Sequence, residues 1–284
     1  MAVDTDWAQR LSKASESFTK SEKEIAEYIR QSPHEIVFLS MKELCAKIDI
    51  SKPTVIEFYK KLEYSNYQDF RTGLMSFYEH HINSYKASSR IFSKISSFSE
   101  LIHAAIETDI KSLNLFENHF SDKELKYTAE KILSADTVYL FGPGTGFYPA
   151  HYLHQRFKRY KLNVQLIGDD SSSVVDSFFP ATSKDVLISF MYMSDTKSFV
   201  KILNSVKKSG IELIIITGTV DPALAELSDK LIYVNRGDIE FKNSMAVPMN
   251  FANLLLLAVE LAGGEKLKSN LKELEDRRDE FRKC

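Results

Sequence analysis

The glycines of one short stretch have the residue types and spacing of a ligand-binding turn. Gly142, Gly144 and Gly146 end the apolar run TVYLFGPGTG (137–146), and the helix-like stretch FYPAHYLHQRFKRY follows. A buried parallel strand that turns into a helix has this pattern, because glycine tolerates the turn and lets a ligand approach the main chain. Free N–H groups at such a helix start favour an anion. Plain tight turns show the same spacing, so both interpretations stay open.

Three further polar turns also follow apolar runs. They are DDSSS (169–173), MYMSDTK (191–197) and TGT (217–219). Ligands of an open parallel sheet bind outside the carboxyl ends of its strands, so these turns and the glycine turn are expected around one crevice. A dinucleotide is disfavoured there, because no glycine at Phe147 or Tyr148 completes GxGxxG. The candidate ligand-binding residues are Gly142, Gly144, Thr145, Gly146, Ser171, Ser172, Tyr192, Ser194, Asp195, Thr196, Lys197, Thr217 and Thr219.

Five short apolar runs must form the strands that carry these turns. They are TVYLFG, NVQLIG, DVLISF, IELIIIT and KLIYV, and helical stretches of roughly ten to twenty residues separate them. This alternation predicts an α/β fold with a doubly wound, five-stranded parallel sheet. Ser97 with Glu100 and Ser121 with Glu124 predict capping boxes on two helices ahead of the sheet. The run FANLLLLAVELAG predicts a buried or interface helix.

The first part of the chain is predicted to be entirely helical. Thr19 with Glu22 fits a capping box, and a second box pairs Ser40 with Glu43 ahead of MKELCAKI. A few connecting residues later, Ser51 caps a third helix that has Pro53 in its first turn, with Val55, Phe58 and Leu62 facing inward. Two short helices joined by such a turn predict a helix-turn-helix.

A helix-turn-helix reads the major groove of DNA with the leading end of its second helix. Ser51, Lys52 and Thr54 would reach base edges or phosphates there, and Lys60 and Lys61 would hold the DNA backbone. The full candidate set is Ser40, Lys42, Ser51, Lys52, Pro53, Thr54, Glu57, Lys60 and Lys61. A plain helical bundle with a solvated lysine face is the alternative. Charge does not decide between them, because residues 1–80 contain eleven Lys or Arg against thirteen Asp or Glu.

The composition indicates a soluble protein with real cores. The chain has 284 residues, a hydrophobic fraction of 44% and a net charge of -2, which suits about two domains and gives no global basic surface for nucleic acid. Cys45 and Cys284 lie far apart and have no nearby histidine partners, so neither a disulfide framework nor a zinc site is predicted. No signal peptide or bilayer-length apolar run is recognised, which predicts a cytoplasmic location without membrane contact.

The helical region resembles the N-terminal domain of the RpiR family of bacterial transcriptional regulators. The segment TKSEKEIAEYIRQSPHEIVFLSMKELCAKIDISKPTVIEFYKKLEYSNYQDFR matches family segments of the types SE+xIAxYI, FLSxxELA and SxxTVxRFxxKLGY in order and spacing. Two residues depart from the last pattern. Glu57 stands where the family usually has arginine, and Glu63 where it usually has glycine.

The C-terminal region resembles the SIS (sugar isomerase) domain that the RpiR family carries. In SIS domains the turn after the third strand usually reads SxSGxT and wraps a sugar phosphate. Here Met191 and Met193 replace the two serines and Ser194 replaces the glycine, while Thr196 keeps its identity. Gly146 takes a place often held by serine. Methionine offers no hydroxyl, so phosphate binding through this turn should be weaker.

The two resemblances imply a helix-turn-helix domain over 1–81, a linker over 82–97 and an SIS-like domain over 98–284. They imply a transcriptional regulator that binds a double-stranded DNA operator as a homodimer or homotetramer, senses a phosphorylated sugar, and needs no cofactor or metal. A regulator whose SIS-like domain only dimerises is one alternative. A sugar phosphate isomerase or binding protein is another, but His151, His154 and Glu240 stand in no recognisable catalytic motif, so an enzyme is not predicted.

Overall fold

The computed structural model describes residues 6–31, 36, 39–81, 95–168, 171–193, 197–218, 221–236 and 244–283. The chain divides into two compact units, and the division falls between Thr108 and Asp109. Each unit has its own hydrophobic core.

The first unit is helical, as predicted. Its helices are α1 (Asp6–Ala14), α2 (Lys20–Gln31), α3 (Met41–Ile48), α4 (Lys52–Lys61) and α5 (Tyr67–His81), with a 3-10 turn at Ser15–Ser17. The inward stripe predicted for α4 is confirmed, since Val55, Phe58 and Leu62 are all fully buried. Ile25 of α2 and Leu44 of α3 join the same core, so three helices share one apolar centre.

The two predicted capping boxes of this unit are confirmed. Ahead of α2, the Thr19 N–H donates to Glu22 Oε2 (2.7 Å) and the Glu22 N–H donates to Thr19 Oγ1 (3.3 Å). Ahead of α3, Ser40 and Glu43 exchange the same pair of bonds, at 2.7 and 3.2 Å. These bonds satisfy N–H groups that have no partner inside the helix, which fixes where each helix begins.

The second unit contains the predicted five-stranded sheet. The strands are β1 (Val138–Phe141), β2 (Val164–Ile167), β3 (Val186–Met191), β4 (Glu212–Thr217) and β5 (Lys230–Tyr233). They lie in the order β2-β1-β3-β4-β5, and every pair is parallel. The intervening helices are α8 (Phe147–Phe157), α9 (Ser171–Phe178), α10 (Lys197–Lys207) and α11 (Pro222–Leu227). Alternate residues of β3 join two separate apolar clusters, so the sheet is buried on both faces and the doubly wound fold is confirmed.

Two helices precede the sheet, α6 (Phe98–His119) and α7 (Asp122–Ser134), and their predicted capping boxes form only in part. Glu100 receives its N–H bond from Ser96 rather than Ser97. Ser121 accepts from the Lys123 N–H (3.3 Å), while the Glu124 carboxylate pairs with Lys230 at 2.7 Å. In the second case a long-range ion pair occupies the carboxylate that the local pattern assigned to the cap.

One face of α6 exposes an apolar stripe. Phe98, Ile102, Ile106 and Ile110 follow at intervals of four residues and are 85%, 61%, 55% and 52% exposed. Residues four apart lie on the same side of a helix, so these side chains form one continuous surface.

The last helix, α12 (Ala246–Lys283), contains the run predicted as a buried or interface helix. Phe251, Leu255 and Val259 are buried in the cluster on one face of the sheet, whereas Leu261 is 85% exposed. Gly264 breaks the helical geometry with φ 55° and ψ -138°. Among the described helices, α12 alone is long and apolar enough to cross a membrane, a test that the core helix of a soluble protein also passes.

Candidate functional sites

The turn between α3 and α4 has three residues. Asp49 ends α3 in the left-handed region (φ 51°), and its N–H bonds the Cys45 carbonyl. The Ile50 N–H bonds the same carbonyl at 3.1 Å, and the Ile50 side chain is buried. Ser51 then caps α4 by accepting from the Thr54 N–H at 3.4 Å. The buried side chain of Ile50 anchors the turn, which fixes where α4 starts relative to α3.

The leading end of α4 faces solvent in this unit. Ser51, Lys52 and Pro53 are exposed, and Thr54 is half-buried with its hydroxyl 2.8 Å from that of Ser51. Ser40, Lys42, Glu57 and Lys60, four more of the predicted DNA-binding residues, are also exposed. The buried face of the same helix therefore holds the core while its start remains accessible to a large partner.

Lys60 and Lys61, predicted to act together, differ in their surroundings. Lys60 is 57% exposed and lies 3.8 Å from the exposed carboxylate of Glu57. Lys61 Nζ instead donates to Glu22 Oε2 (2.7 Å) and to the Ser17 carbonyl (3.0 Å). Burial alone would raise the pKa of Glu22, but the bonds from Lys61 and Thr19 outweigh it, so the pKa lies below its usual value. Lys61 thus stabilises the first unit, and a DNA contact by it stays a prediction.

Arg10 supports the end of α4, a role that the sequence pattern did not predict. Glu63, at the family's glycine position, adopts the left-handed conformation (φ 61°) that glycine favours. The Arg10 guanidinium donates to the Glu63 carbonyl (2.6 Å) and the Leu62 carbonyl (3.0 Å), and lies 4.7 Å from the centre of the Tyr64 ring. The short-range pattern contained no sign of these contacts, because Arg10 lies more than fifty residues from its partners.

The glycine turn of the second unit is required mainly by internal packing. A Cβ on Gly142 would lie 2.1 Å from the Gly146 carbonyl oxygen, and a Cβ on Gly146 would lie 2.1 Å from the Phe190 carbonyl oxygen. Gly144 has a positive φ of 58° and open space around it. The Gly146 N–H donates to the Pro143 carbonyl, and the Phe147 N–H donates to the carbonyls of Gly144 and Thr145. These two N–H groups therefore have hydrogen-bond partners within the turn, and an anion at the helix start stays a prediction.

Arg236 follows the edge strand β5, and its side chain contacts the glycine turn that follows β1. Its Nη1 donates to Thr145 Oγ1 at 3.2 Å. Its guanidinium also lies 5.6 Å from the centre of the Tyr192 ring. Arg236 was not among the predicted site residues, because it is 91 residues from Thr145 and belongs to no motif.

Tyr192 and Thr217 are buried. The Tyr192 hydroxyl donates to the Val234 carbonyl at 2.9 Å, and burial raises the pKa of this tyrosine, with nearby Arg236 partly opposing the shift. Thr217 is fully buried at the end of β4, where it pairs in register with Met191 of β3. These two predicted ligand residues are therefore buried at the carboxyl ends of β3 and β4 instead of being exposed there.

The remaining predicted ligand residues are located only in part. Ser171 and Ser172 begin α9 and Lys197 begins α10, but their side chains lie outside the description. Ser194, Asp195, Thr196 and Thr219 lie outside the described residues. The structure therefore brings Gly142, Gly144, Thr145 and Gly146 together in one turn. The parts that the turns at 169–173 and 191–197 play in ligand binding stay predictions.

Met191 is part of the hydrophobic core and is not placed to contact a polar ligand. It is fully buried in the cluster that contains Leu203, and Met193 packs partly against the same cluster. A methionine in place of the first serine therefore extends the core beneath α10. This packing explains in physical terms why the hydroxyl pattern is absent at this strand end.

The histidines after the glycine turn form no catalytic arrangement with described residues. His151 stacks on Phe147 with ring centres 5.3 Å apart, and its Nε2 lies 3.2 Å from Gln155 Nε2. Burial, followed by the nearby Lys158 and His151, lowers the pKa of His154. The described residues also contain no cluster of three His, Cys, Asp or Glu side chains that could hold a metal ion.

Comparison with known families matches both parts of the chain. Residues 5–81 match the helix-turn-helix domain of the rpiR family, and residues 131–259 match the SIS domain. A helix-turn-helix domain joined to an SIS domain defines a class of two-domain transcriptional regulators. The chain combines an rpiR-family helix-turn-helix domain with an SIS domain, so the resemblance found in the sequence is confirmed.

Individual proteins agree with this assignment along most of the chain. The chain is 25% identical over 214 residues to an uncharacterized HTH-type transcriptional regulator of Clostridium perfringens, covering 74% of this chain and 75% of the relative. It is 21% identical over 281 residues to the HTH-type transcriptional regulator HexR of Escherichia coli, covering 96% and 94%. Among solved structures it resembles the Vibrio vulnificus NanR protein complexed with ManNAc-6P, with a TM-score of 0.59, 18% identity and coverage of 96% and 97%.

Proposed function

We propose that this protein is a cytoplasmic DNA-binding regulator whose affinity for its operator is controlled by a phosphorylated sugar bound to the SIS domain. The observation that carries the proposal is the exposed leading end of α4 in a chain that also has a sugar-isomerase-type sheet. We assign DNA reading to domain 1–81, ligand binding and pairing to domain 98–284, and no catalytic step to either.

The accessible face of α4 supports DNA reading. Ser51 and Lys52 are exposed at the start of the helix, where a helix-turn-helix meets base edges and phosphates. Lys42 and Lys60, also exposed, supply positive charge for phosphates. Glu57 lowers the local positive potential beside Lys60, so one domain alone should bind DNA weakly and a second copy should supply avidity.

The strand-end turns of the SIS domain support a small-molecule ligand. Thr145 is exposed on the glycine turn, and the loop after β3 keeps the family's threonine at 196. The similar NanR fold binds ManNAc-6P, which makes a phosphorylated sugar the first chemical class to test. A ligand that binds two pairing geometries with different affinity would shift the distance between two copies of α4.

The exposed stripe of α6 supports pairing of chains. Phe98, Ile102, Ile106 and Ile110 present a contiguous apolar surface of the kind that marks protein interfaces. We propose that the protein is a homodimer or homotetramer in which two recognition helices meet half-sites about one turn of DNA apart. Size-exclusion chromatography with light scattering tests this, and a monomer at micromolar concentration would refute it.

The experiment for the regulator is a titration of fluorescent duplex DNA from the region upstream of its own gene. Wild-type protein should bind, and each of Lys52→Ala and Lys60→Ala should weaken binding and reduce the salt slope by about one phosphate contact. Lys208→Ala, an exposed lysine of the second unit, is the control and should leave binding unchanged. Equal affinity of all four proteins would refute the assignment of DNA reading to α4.

A second candidate, an SIS domain that only dimerises, is favoured by Met191 and Gly146. Met191 is sealed in the core, and the backbone at Gly146 has no room for a serine side chain. This candidate predicts DNA binding without any response to ligand. Repeating the DNA titration with ManNAc-6P and other hexose 6-phosphates separates the two, because unchanged affinity with every ligand that binds would remove the sensing role.

A further inference from the structure

The exposed side of α4 carries a carboxylate at its centre. Val55 and Phe58 are fully buried and mark the side of α4 that faces the core. Pro53, Glu57 and Lys60 follow at intervals of four and three residues, so they lie together on the opposite side, and all three are exposed. The side chain of Glu57 is 63% exposed. A partner that meets α4 from the solvent side therefore meets the Glu57 carboxylate.

Glu57 lies close enough to the start of α4 to reach the bases that this end would meet. An α-helix rises about 1.5 Å per residue, so the Cα of Glu57 lies about 7 to 8 Å along the axis from that of Lys52, the first residue of α4. Recognition helices contact bases over roughly two turns, through residues three or four positions apart. Glu57 lies four residues after Pro53 on the same exposed side, which is the spacing of such a contact.

The carboxylate is not committed to a strong ion pair. Lys60 Nζ lies 3.8 Å from Glu57 Oε1, and the lysine side chain is 57% exposed. A pair that is so long and so exposed contributes little to stability, so Glu57 can exchange it for another donor at small cost. Lys60 can then turn to the DNA backbone, and its charge reduces the repulsion between Glu57 and the phosphates.

We propose that Glu57 reads a cytosine in the major groove by accepting a hydrogen bond from the N4 amino group of the base. An ionised carboxylate accepts hydrogen bonds and donates none, so it needs a donor on a base edge. Guanine and thymine present acceptors there, and adenine presents the acceptor N7 beside its amino group, whereas cytosine presents the N4 donor alone. The inference deepens the proposed function and rests on its claim that α4 reads DNA.

The same chemistry gives the departure from the family pattern a direction. Arginine, the usual residue of the family at this position, donates in a fork that fits O6 and N7 of guanine. Glu57 reverses the roles, because it accepts where arginine donates. The substitution therefore exchanges one base preference for another, and DNA reading by the exposed side of α4 is retained.

The test is selection of binding sites by the full chain from a duplex library with a randomised centre. Wild type should select cytosine at one fixed position of the site. Glu57→Gln should change the selected base to adenine and Glu57→Arg should change it to guanine, each through a bidentate contact. In titrations of two duplexes that differ only at this base pair, wild type should prefer the cytosine duplex by about fivefold to hundredfold, and Glu57→Ala should lose this preference.

Glu63→Gln is the matched control. It removes the same charge from an exposed glutamate two residues beyond α4, and it should leave the selected base unchanged. Loss of a negative charge raises the affinity for any duplex, so the ratio of two affinities, rather than either affinity, reports base reading. The same selected base in wild type, Glu57→Gln and Glu57→Arg would overturn the role of Glu57 while DNA reading by α4 survives.

Two further outcomes would decide the matter. A wild-type preference for a base other than cytosine, at the position that the Glu57 variants change, would overturn the cytosine contact and leave α4 as the reader. Wild-type protein that selects no sequence from the library would overturn both this inference and the proposed function.

Discussion

Replacing Lys61 by methionine would remove a cation from the interior side of α4 while keeping the length of the side chain. Lys61 is 32% exposed, and its partner Glu22 is 3% exposed. The variant leaves the Glu22 carboxylate buried with its bond from the Thr19 N–H but without a cation. The change therefore tests whether the lysine serves the fold of the helix-turn-helix or its contact with DNA.

The expected loss of stability is about 2 kcal/mol at neutral pH. Breaking a fully buried ion pair costs ~3 to 5 kcal/mol, because the remaining charge is uncompensated. Lys61 is one-third exposed, and exposed pairs contribute below ~1 kcal/mol, so the value falls between these limits. Lys60→Met is the matched control, since Lys60 and Glu57 are 57% and 63% exposed and 3.8 Å apart. It should cost below about 0.5 kcal/mol.

The pH dependence of the loss has a defined sign. In the wild type the pKa of Glu22 is held below its usual value of 4.5, so its contribution is present above that pH and is lost as the pH falls through the folded-state pKa. Without Lys61, burial raises the pKa of Glu22 relative to the wild type. The stability difference between wild type and Lys61→Met should therefore shrink as the pH falls below 4.5.

Urea denaturation followed by tryptophan fluorescence provides the measurement. Trp7 is the single tryptophan of the chain and is buried in the core of the first unit, so its signal reports unfolding of that unit. The interpretation would be refuted if Lys61→Met and Lys60→Met had equal free energies of unfolding at pH 7. DNA titrations add a second contrast, because Lys60→Met should reduce the salt slope, and an equal reduction in Lys61→Met would mean that Lys61 contacts DNA as well.

Four further substitutions probe caps, strain and packing. Ser51→Ala should destabilise the first unit by about 0.5 to 1 kcal/mol in urea denaturation, because the N-cap bond of α4 is lost; no loss would mean that the cap is not formed in solution. Glu63→Gly should stabilise the same unit by about 0.5 to 1 kcal/mol, because φ of 61° suits glycine, and a net loss would contradict the strain. Gly146→Ser should lower the Tm of the second unit, measured by calorimetry, with a cost of about 3 kcal/mol from the clash with Phe190. Gly144→Ala, which meets open space and has only its φ of 58° to oppose it, should cost about 1 to 2 kcal/mol, and equal costs would refute the packing argument.

The features that the sequence predicted well are those set by neighbouring residues. The capping boxes of Thr19 and Ser40 depend on a partner three residues away, and both form as expected. The apolar runs predicted the parallel sheet, because a strand that is buried on both faces has apolar residues at almost every position. Family resemblance added the two kinds of domain, a helix-turn-helix and an SIS domain, and both kinds are matched by family models, while the boundaries predicted between them stay a prediction.

The features that the sequence did not predict depend on distant partners. Glu124 fits the local capping pattern, but an ion pair with Lys230 takes its carboxylate. Arg236 and Thr145 meet only because the sheet brings the ends of β5 and β1 to one edge. The glycine turn shows the same limit, since the spacing identified a turn but could not show that Gly142 and Gly146 are needed by the protein's own backbone.

The close contact between the Phe190 carbonyl and Gly146 also constrains how this protein can evolve. A single mutation from glycine to serine would be harmful here, because the side chain has no room until the end of β3 has moved. Any new polar group that contacts a ligand at this turn would therefore have to arise at a neighbouring position. Relatives that share the glycine should then show their innovations in the loops around the turn, and the order in which those changes accumulated can be read from their phylogeny.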